Sequence, residues 1–350
     1  MEIDFGGADE IRFERRGRAG VITLNRPQAL NAVTHAMIRA MARALDAWEA
    51  DDAIEVVVLK AEGRAFSAGG DIQHIYEVGR AGRPPVDFFA DEYRLNARIA
   101  RFGKPYVSLI DGIVMGGGVG ISFHGSHRVM TENAQFAMPE VGIGFFPDVG
   151  GSYLLSRLRG SFGMYLGLTG SRIGYGDALW AGLATHAVES ARLGELLDEL
   201  CGKGLPSAAL KRLCIEPERQ IDDAVVHAIA HHFSLDSLPD LLDSLRQSVG
   251  PHDSFPSDTL EAMSKKSPTS LHVAFRQIRA GGMLEIDECM QMEFRIVNRM
   301  LERHDFYEGI RAAVIDKGSM PQWRPATLEE IDDAAIEAYF APLGDEELTL

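Results

Sequence analysis

Two acidic residues stand in an apolar stretch of the chain. Glu140 and Asp148 lie eight residues apart. Their neighbours include Met138, Pro139, Val141, Phe145 and Phe146. Burying a carboxylate among such side chains costs free energy unless a partner or a function compensates. A buried pair of carboxyl groups can supply a nucleophile, or a general acid and a general base, because each group shifts the pKa of the other.

Both carboxylates also have a purely structural interpretation. Asp148 could be the N-cap of a helix over residues 149–159, since aspartate is a favoured N-cap residue. Glu140 could be an ordinary turn residue, although turns rarely place glutamate between a proline and a valine. The two interpretations differ in whether these carboxylates do chemistry or only shape the backbone.

Two glycine-rich turns each follow a predicted strand and precede a predicted helix. They cover residues 65–71 and 116–120. Neither turn matches a dinucleotide-binding or P-loop pattern, and the chain has no G-x-S-x-G nucleophile elbow. Free backbone amides in the turn over residues 116–120, with the Ala68 amide as a second donor, could point at a ligand oxygen and form an oxyanion hole. In the structural alternative the glycines only allow backbone to pack on backbone, and Asp71 caps the next helix.

A group of histidines raises the question of a metal site. His227, His231 and His232 could place two imidazoles one helical turn apart. The H-E-x-x-H pattern is absent and no third ligand is evident, so we expect a solvated helix face. We therefore expect neither a metal ion nor a redox cofactor.

Short β-branched runs alternate with amphipathic segments in the first half of the chain. The predicted strands are residues 20–25, 54–59, 106–110, 128–130 and 135–137. A helix is predicted from the N-cap Thr34 to about residue 50, with Met37, Met41 and Leu45 on one face, and another over residues 88–102. This alternation predicts an α/β architecture with parallel strands.

The pattern after about residue 190 is helical throughout. The predicted helices are residues 193–201, 221–233, 238–249, 258–264, 269–280, 286–303 and 306–315. No strand is expected in this part. We therefore predict two domains, a core over residues 1–195 and a helical region over residues 196–350 that covers the active site.

Composition narrows the class of protein. The chain has 350 residues, of which 46% are apolar, with 35 basic and 51 acidic residues and a formal net charge of −16. Such an acidic protein is a poor candidate for binding nucleic acid or an anionic membrane. Three cysteines without a C-x-x-C spacing favour a reducing compartment over a disulfide framework.

No segment has the features of a membrane span or a secretory signal. The longest apolar stretch, residues 105–123, carries Asp111 and five glycines. The N-terminus is charged and lacks an apolar core. These observations predict a cytoplasmic enzyme or binding protein.

Several blocks of the sequence resemble the crotonase (enoyl-CoA hydratase/isomerase) superfamily. Residues 63–72 (GRAFSAGGDI) and 104–118 (KPYVSLIDGIVMGGG) resemble its two signature blocks, and residues 24–31 (LNRPQALN) resemble its CoA-contacting turn. Within the superfamily, the resemblance is to the 3-hydroxyisobutyryl-CoA hydrolases. The supporting blocks are residues 88–93, 138–151, 305–312 and 316–325.

This resemblance implies a fold, a reaction and a set of site residues. The fold would be a crotonase-like spiral of ββα turns followed by an all-helical region. The reaction would be hydrolysis of a short hydroxyacyl-CoA thioester, 3-hydroxyisobutyryl-CoA, to 3-hydroxyisobutyrate and CoA in valine catabolism. Residues implied by position are the oxyanion-hole amides Ala68 and Gly117, the catalytic carboxylates Glu140 and Asp148, the substrate contacts Glu92, Gly117, Glu140 and Asp148, and the CoA contacts Arg26, Gln28, Ala29 and Leu30.

One departure separates the chain from the hydratases. Gly120 stands where the hydratases carry a second catalytic glutamate, and Asp148 stands where most of them have glycine. The alternatives are a hydratase or isomerase on the same scaffold and a non-catalytic acyl-CoA-binding protein.

Because CoA is polyanionic, we expect a local basic rim from Arg26, Lys60 or Arg64. We also expect a homo-oligomer, and the resemblance leaves open whether a carboxylate attacks the thioester or activates water.

Overall fold

The computed structural model describes residues 1–250 and 254–350. The chain forms two compact units, and neither is continuous in sequence. The first unit comprises Met1–Asp71, Asp91–Phe136 and Ile173–Gln220. The second unit comprises Ile72–Ala90, Ala137–Arg172 and the described residues of Ile221–Leu350.

Strands occur in the first half of the chain, and helices occur throughout. The strands are β1 (Ile11–Arg16), β2 (Ala19–Leu24), β3 (Val56–Ala61), β4 (Ala65–Ser67), β5 (Tyr106–Ile110), β6 (Ile113–Met115), β7 (His127–Met130), β8 (Gln135–Ala137), β9 (Ile173–Gly174) and β10 (His186–Ala187). The helices are α1 (His35–Glu49), α2 (Ile72–Arg80), α3 (Val86–Ala100), α4 (Gly117–Phe123), α5 (Gly151–Ser156), α6 (Phe162–Thr169), α7 (Tyr175–Ala181), α8 (Leu193–Lys203), α9 (Pro206–Leu213), α10 (Asp223–His232), α11 (Leu238–Ser248), α12 (Phe255–Ser264), α13 (Pro268–Gly281), α14 (Ile286–Met300), α15 (His304–Ile310) and α16 (Asp333–Phe340).

A six-stranded sheet forms the core of the first unit. Its strand order is β1-β2-β3-β5-β7-β10, and every neighbouring pair except β1–β2 is parallel. Strand β2 is buried along its whole length, as expected for a strand covered on both faces. The register places Val58 opposite Val107 and Leu109 opposite Val129, so apolar side chains line up across the sheet.

A smaller sheet, in the order β4-β6-β8-β9, positions the two glycine-rich turns. Strands β4 and β6 are parallel, with Ala65 opposite Ile113. The carboxyl ends of parallel neighbours lie at the same edge of a sheet. The turn after β4 and the turn that starts α4 therefore begin side by side.

The second unit is mainly helical. Helix α13 packs against α5 and α6, and α14 packs against α5 and α16. Helix α15 packs on a 3-10 turn, Glu140–Ile143, so closely that a Cβ at Gly309 would lie 2.2 Å from the Ile143 carbonyl carbon. Glycine at position 309 thus lets α15 support the turn that carries Glu140.

Most of the predicted architecture is confirmed. The fold is the expected mixture of parallel strands and helices, Thr34 caps α1 by accepting a hydrogen bond from the Met37 amide (3.3 Å), and the described residues after Ala187 form no further strand. The division at residue 195 does not match the compact units. Leu196, Leu200 and Leu210 of α8 and α9 pack on the six-stranded sheet, and this burial assigns them to the first unit.

The helices give no sign of a transmembrane segment. Within the part of the chain that the structure describes, no helix is long and apolar enough to cross a bilayer.

Candidate active site

The predicted site residues fall into two groups, one in each unit. The first group surrounds Gly117, the first residue of α4. A Cβ at this position would lie 2.7 Å from Glu92 Oε1 and 3.2 Å from the Gly70 amide nitrogen. A Cβ at the next residue, Gly118, would lie 2.5 Å from the Ser67 carbonyl oxygen. Only glycine allows the start of α4 to approach the turn after β4 this closely.

Two backbone amides in this group are available to a ligand. The Gly117 amide belongs to the first turn of α4, where amides have no acceptor within the helix. No described residue accepts a hydrogen bond from the Gly70 amide, although its neighbours Gly69 and Asp71 both bond to Val33. Two such amides near each other have the composition of an oxyanion hole.

Ala68, the donor implied by the resemblance, is engaged elsewhere. Its amide donates a hydrogen bond to the Leu30 carbonyl oxygen at 2.9 Å. Leu30 sits in a left-handed turn with φ of 50°, and Asn31 holds that turn by bonding to the Glu62 and Ala65 carbonyls. The structure therefore replaces Ala68 by Gly70 as the candidate donor. Sequence reasoning missed Gly70 because the bond from Ala68 to Leu30 joins distant segments.

Two polar side chains on α3 are buried in the same unit. Glu92 is 2% exposed and adjoins Gly117. Asn96, one helical turn later, is fully buried, and its amide oxygen and nitrogen make no hydrogen bond to any described residue. A buried amide with unmet hydrogen-bonding capacity is unusual and is typical of a group that awaits a ligand or a water. Sequence analysis missed Asn96.

Glu140 and Asp148 form the second group. Glu140 begins the 3-10 turn and is only 6% exposed, and its Oε2 makes no hydrogen bond to any described residue. Burial raises the pKa of Glu140 well above its usual range, and the charge of Asp148 raises it further. Both effects favour the protonated form of Glu140, as expected for one member of a buried carboxylate pair.

Asp148 does not cap a helix. Helix α5 begins at Gly151 and its N-cap is Gly150. The backbone between them is unusual, because Val149 has φ of 52° and Gly150 has φ of 83°. The N-cap interpretation of Asp148 is thus wrong, and its buried carboxylate has no structural role of that kind.

A third carboxyl group, which sequence analysis missed, lies beside this turn. Glu293 on α14 is fully buried. It accepts hydrogen bonds from the Gly150 amide (2.7 Å), the Ser152 amide (3.0 Å) and the Ser152 hydroxyl. Burial raises the pKa of Glu293 to about 8 against these hydrogen bonds, which lower it, and the charge of Asp148 adds to the rise.

Two of the three cations expected to form a basic rim are engaged in ion pairs within the protein. The Arg26 guanidinium pairs with Glu10 (3.0 Å) and Asp71 (2.8 Å), and Lys60 pairs with Glu62 (2.7 Å). Only Arg64, of the three proposed cations, is exposed and pairs with no described acidic side chain. Among the other predicted CoA contacts, Gln28 is exposed, whereas Ala29 and Leu30 are half-buried.

Of the three histidines of α10, only His232 departs from the expected solvated face. His232 is buried, and its Nδ1 lies 2.8 Å from the Ser244 hydroxyl. His227 and His231, one helical turn apart, are both exposed, as predicted, and the His231 ring meets the His232 ring edge-to-face at 4.8 Å. Residues 1–250 and 254–350 contain no group of three or more His, Cys, Asp or Glu side chains suited to a metal ion.

The buried carboxyl groups predict a pH dependence of stability. The folded state holds a proton on Glu293 up to about pH 8, whereas the usual pKa of the side chain is 4.5. The folded state then binds more protons than the unfolded state in this interval, so the free energy of unfolding falls as pH rises. Urea denaturation between about pH 6 and 9 should show this loss, and Glu293→Gln should flatten it. An unchanged slope in the variant would contradict the raised pKa.

Comparison with known proteins agrees with this geometry. A model of the enoyl-CoA hydratase/isomerase family matches residues 19–340. The mitochondrial 3-hydroxyisobutyryl-CoA hydrolase of Gallus gallus is 43% identical to the chain, over 98% of the chain and 91% of the relative.

Solved structures give the same assignment of fold. A carnitinyl-CoA dehydratase from Mycobacterium thermoresistibile superimposes with a TM-score of 0.91 at 41% identity, covering 97% of this chain and 98% of that one. An enoyl-CoA hydratase from Rhodobacter sphaeroides gives a TM-score of 0.88 at 39% identity, covering 97% of this chain and 100% of that one. With a family match over most of its length and relatives of this similarity, the chain belongs to the enoyl-CoA hydratase/isomerase family.

Proposed function

We propose that this protein hydrolyses a short hydroxyacyl-CoA thioester, with 3-hydroxyisobutyryl-CoA as the preferred substrate and 3-hydroxyisobutyrate and CoA as products. The observation that carries the proposal is the buried pair of Glu140 and Asp148, in which the pKa of Glu140 is raised well above its usual range. The name of the Gallus gallus relative supports the same reaction. The proposal includes a role for this reaction in valine catabolism.

In the proposed mechanism, backbone amides stabilise negative charge and side-chain carboxyl groups transfer protons. The carbonyl oxygen of the thioester gains negative charge when a nucleophile attacks, and the amides of Gly70 and Gly117 would stabilise that charge. Asp148 would take a proton from the attacking water as the new C–O bond forms. Protonated Glu140 would donate its proton to the sulfur as the C–S bond breaks, and the free thiol of CoA would leave.

A second route uses the same residues with a covalent intermediate. Asp148 would attack the carbonyl carbon, expel the thiolate and form a mixed anhydride, which water would then open. Single-turnover hydrolysis in water carrying heavy oxygen distinguishes the two routes. Label found in the carboxylate of the protein would establish an anhydride that water opens at the carbonyl carbon of Asp148. Label found only in the product acid would exclude that opening and leave attack by water on the acyl carbon, either of the thioester or of the anhydride.

The second candidate function is hydration or isomerisation of an enoyl-CoA. It is favoured by the two solved structures of about 40% identity, which are named a dehydratase and a hydratase. Against it, position 120 is a buried glycine in α4 and offers no second carboxylate. Adding water across a double bond in two-carboxylate hydratases needs that group, so we favour hydrolysis.

The test is an assay of thiol release against a panel of acyl-CoA thioesters, with absorbance of the enoyl thioester read in parallel. We expect thiol release with 3-hydroxyisobutyryl-CoA and, more slowly, with 3-hydroxypropionyl-CoA. Loss or gain of the enoyl band without thiol release would instead establish a hydratase or isomerase. Tight binding without either signal would establish a non-catalytic acyl-CoA-binding protein.

Within this assay, the substrate hydroxyl should matter strongly. Glu92 is buried beside Gly117, and we propose that its carboxylate bonds to that hydroxyl. Isobutyryl-CoA lacks the hydroxyl and would leave a buried polar group without its partner, so kcat/KM should fall roughly ten- to a hundredfold. Glu92→Gln should narrow the gap between the two substrates. Equal kcat/KM values for both substrates in the unaltered protein would remove this role of Glu92.

The remaining features of the proposal concern cofactors, assembly and compartment. The reaction as written needs no metal ion or redox cofactor, since every proton and bond is assigned to water, substrate or side chains. We further propose a reducing, cytoplasmic compartment, because Cys201, Cys214 and Cys289 are all free thiols. A homo-oligomer is a separate part of the proposal. The named relative is mitochondrial, so cell fractionation and size-exclusion chromatography are the direct tests.

A further inference from the structure

The backbone that carries Asp148 is held in an unfavourable conformation. Val149 has φ of 52°, a left-handed value that a β-branched residue rarely adopts. Gly150 follows with φ of 83°, so two successive residues are left-handed. Such backbone persists only where the surrounding structure holds it, and it is concentrated at functional sites.

Buried polar side chains from two later helices hold this turn on both sides. Before Asp148, Gln277 of α13 donates a hydrogen bond from Nε2 to the Pro147 carbonyl oxygen at 2.5 Å. After Asp148, Glu293 of α14 accepts from the amides of Gly150 and Ser152 at 2.7 and 3.0 Å. The Ser152 hydroxyl also donates to Glu293. The turn is therefore fixed by contacts that begin more than a hundred residues away in sequence.

The burial of Glu293 beside this turn costs folding free energy. Glu293 is fully buried, and no cationic side chain among residues 1–250 and 254–350 pairs with it. The charged and titratable groups that influence its surroundings are Asp148 and the Cys289 thiol on its own helix. The charges of Arg157 and Glu288 act in turn on that thiol. Burying an unpaired carboxyl group costs free energy, and the Gly150 and Ser152 donors compensate only in part.

We propose that Glu293 is a positioning residue for the hydrolysis reaction, one that acts through Asp148. Its oxygen atoms fix the Gly150 and Ser152 amides, and this fixes the left-handed Val149 and the direction of the Asp148 carboxylate. Residues that lock a catalytic group in this way are as necessary as the group itself when the geometry must be accurate. This inference rests on the proposed function, since it needs Asp148 to take part in the reaction.

The test is a double-mutant cycle between Glu293→Gln and Asp148→Asn. Glutamine keeps the size of the side chain but replaces one acceptor by a donor that faces backbone N–H groups. We expect Glu293→Gln to lower kcat by about ten- to a hundredfold, with KM little changed, because a small displacement of a catalytic group has effects of this size. In the Asp148→Asn background we expect no further loss, since residues that act as a unit are not additive.

A matched control comes from the first unit. Asp177 is also buried, and it accepts the Gln220 amide at 2.8 Å. Asp177→Asn changes a buried carboxylate in the same way but should leave kcat unchanged in both backgrounds. Thermal unfolding of every variant separates lost activity from lost structure.

A second variant covers the case in which Glu293→Gln does not fold. Ser152→Ala removes one of the three donors to Glu293 and should lower kcat by a smaller factor, again only while Asp148 is intact. Factors that multiply in the double mutant would overturn the positioning role. Near-normal activity of Asp148→Asn alone would instead overturn the proposed role of Asp148, and the two failures are thereby distinguished.

Discussion

Replacing Glu140 by glutamine is expected to lower kcat for thioester hydrolysis by at least about a hundredfold, and Asp148→Asn should have an effect of the same order. Both side chains are buried, and the charge of Asp148 helps to raise the pKa of Glu140. Each substitution removes the ability to give up or accept a proton while keeping the size of the side chain. Thiol release under saturating substrate measures the effect.

One control variant and two possible outcomes test the predicted roles of Glu140 and Asp148. Glu14→Gln, at a half-buried position of β1, makes the same chemical change outside both groups of site residues and should leave kcat unaltered. If Asp148→Asn keeps most of the activity while Glu140→Gln does not, the paired mechanism is wrong and the site resembles a one-glutamate isomerase. If both variants hydrolyse normally, the chemistry lies elsewhere.

The second large effect is expected from Gly117→Ala. The new Cβ would lie 2.7 Å from Glu92 Oε1 and 3.2 Å from the Gly70 amide nitrogen, so it would occupy the space between the two proposed donors. Losing one oxyanion-hole donor typically costs about 10²–10³ in kcat, and we expect a loss of this size. Michaelis–Menten kinetics of the purified variant give the factor.

A glycine elsewhere provides the comparison for this variant. Gly202, on the exposed side of α8, has open space where a Cβ would be placed. Gly202→Ala should leave kcat unchanged and stabilise the helix by about 0.5–1 kcal/mol, since glycine is unfavourable in helices. Activity of Gly117→Ala close to that of Gly202→Ala would argue against an oxyanion hole at Gly117.

The strands that could be predicted from the sequence are those that are buried on both faces. Residues 106–110 and 135–137 are found as predicted, and the strand predicted over residues 54–59 is displaced by two residues. Strands β4, β6, β9 and β10 were missed, and each has at most three residues, too few for a period to be visible. Strand β8 is equally short, so its prediction did not rest on a period. Strand β1 was missed because it is an edge strand with alternating burial next to charged residues.

Hydrogen bonds between distant segments limit how much of the site could be predicted from the sequence. Glu140 and Asp148 were predicted from their apolar surroundings and Gly117 from the family resemblance, and their roles stay predictions. Gly70 replaced Ala68 because a hydrogen bond between distant segments decides which amide is free. Glu293 did leave a signal, since it lies among Cys289, Ile296 and Val297 on the buried face of α14, where a carboxylate is out of place.

Each unit is built from three segments that alternate along the chain with those of the other unit, and this order affects folding during translation. The first unit is complete once residue 220 has left the ribosome, but the second unit needs residues up to the C-terminus. Segments 72–90 and 137–172 are synthesised long before the helices on which they pack, and they carry apolar side chains such as Phe145, Phe146 and Phe162. During translation these segments remain without their native partners, a state that favours aggregation and chaperone binding. Ribosome-bound chains stalled near residue 220 should therefore be sensitive to proteases in these two segments and protected in the six-stranded sheet.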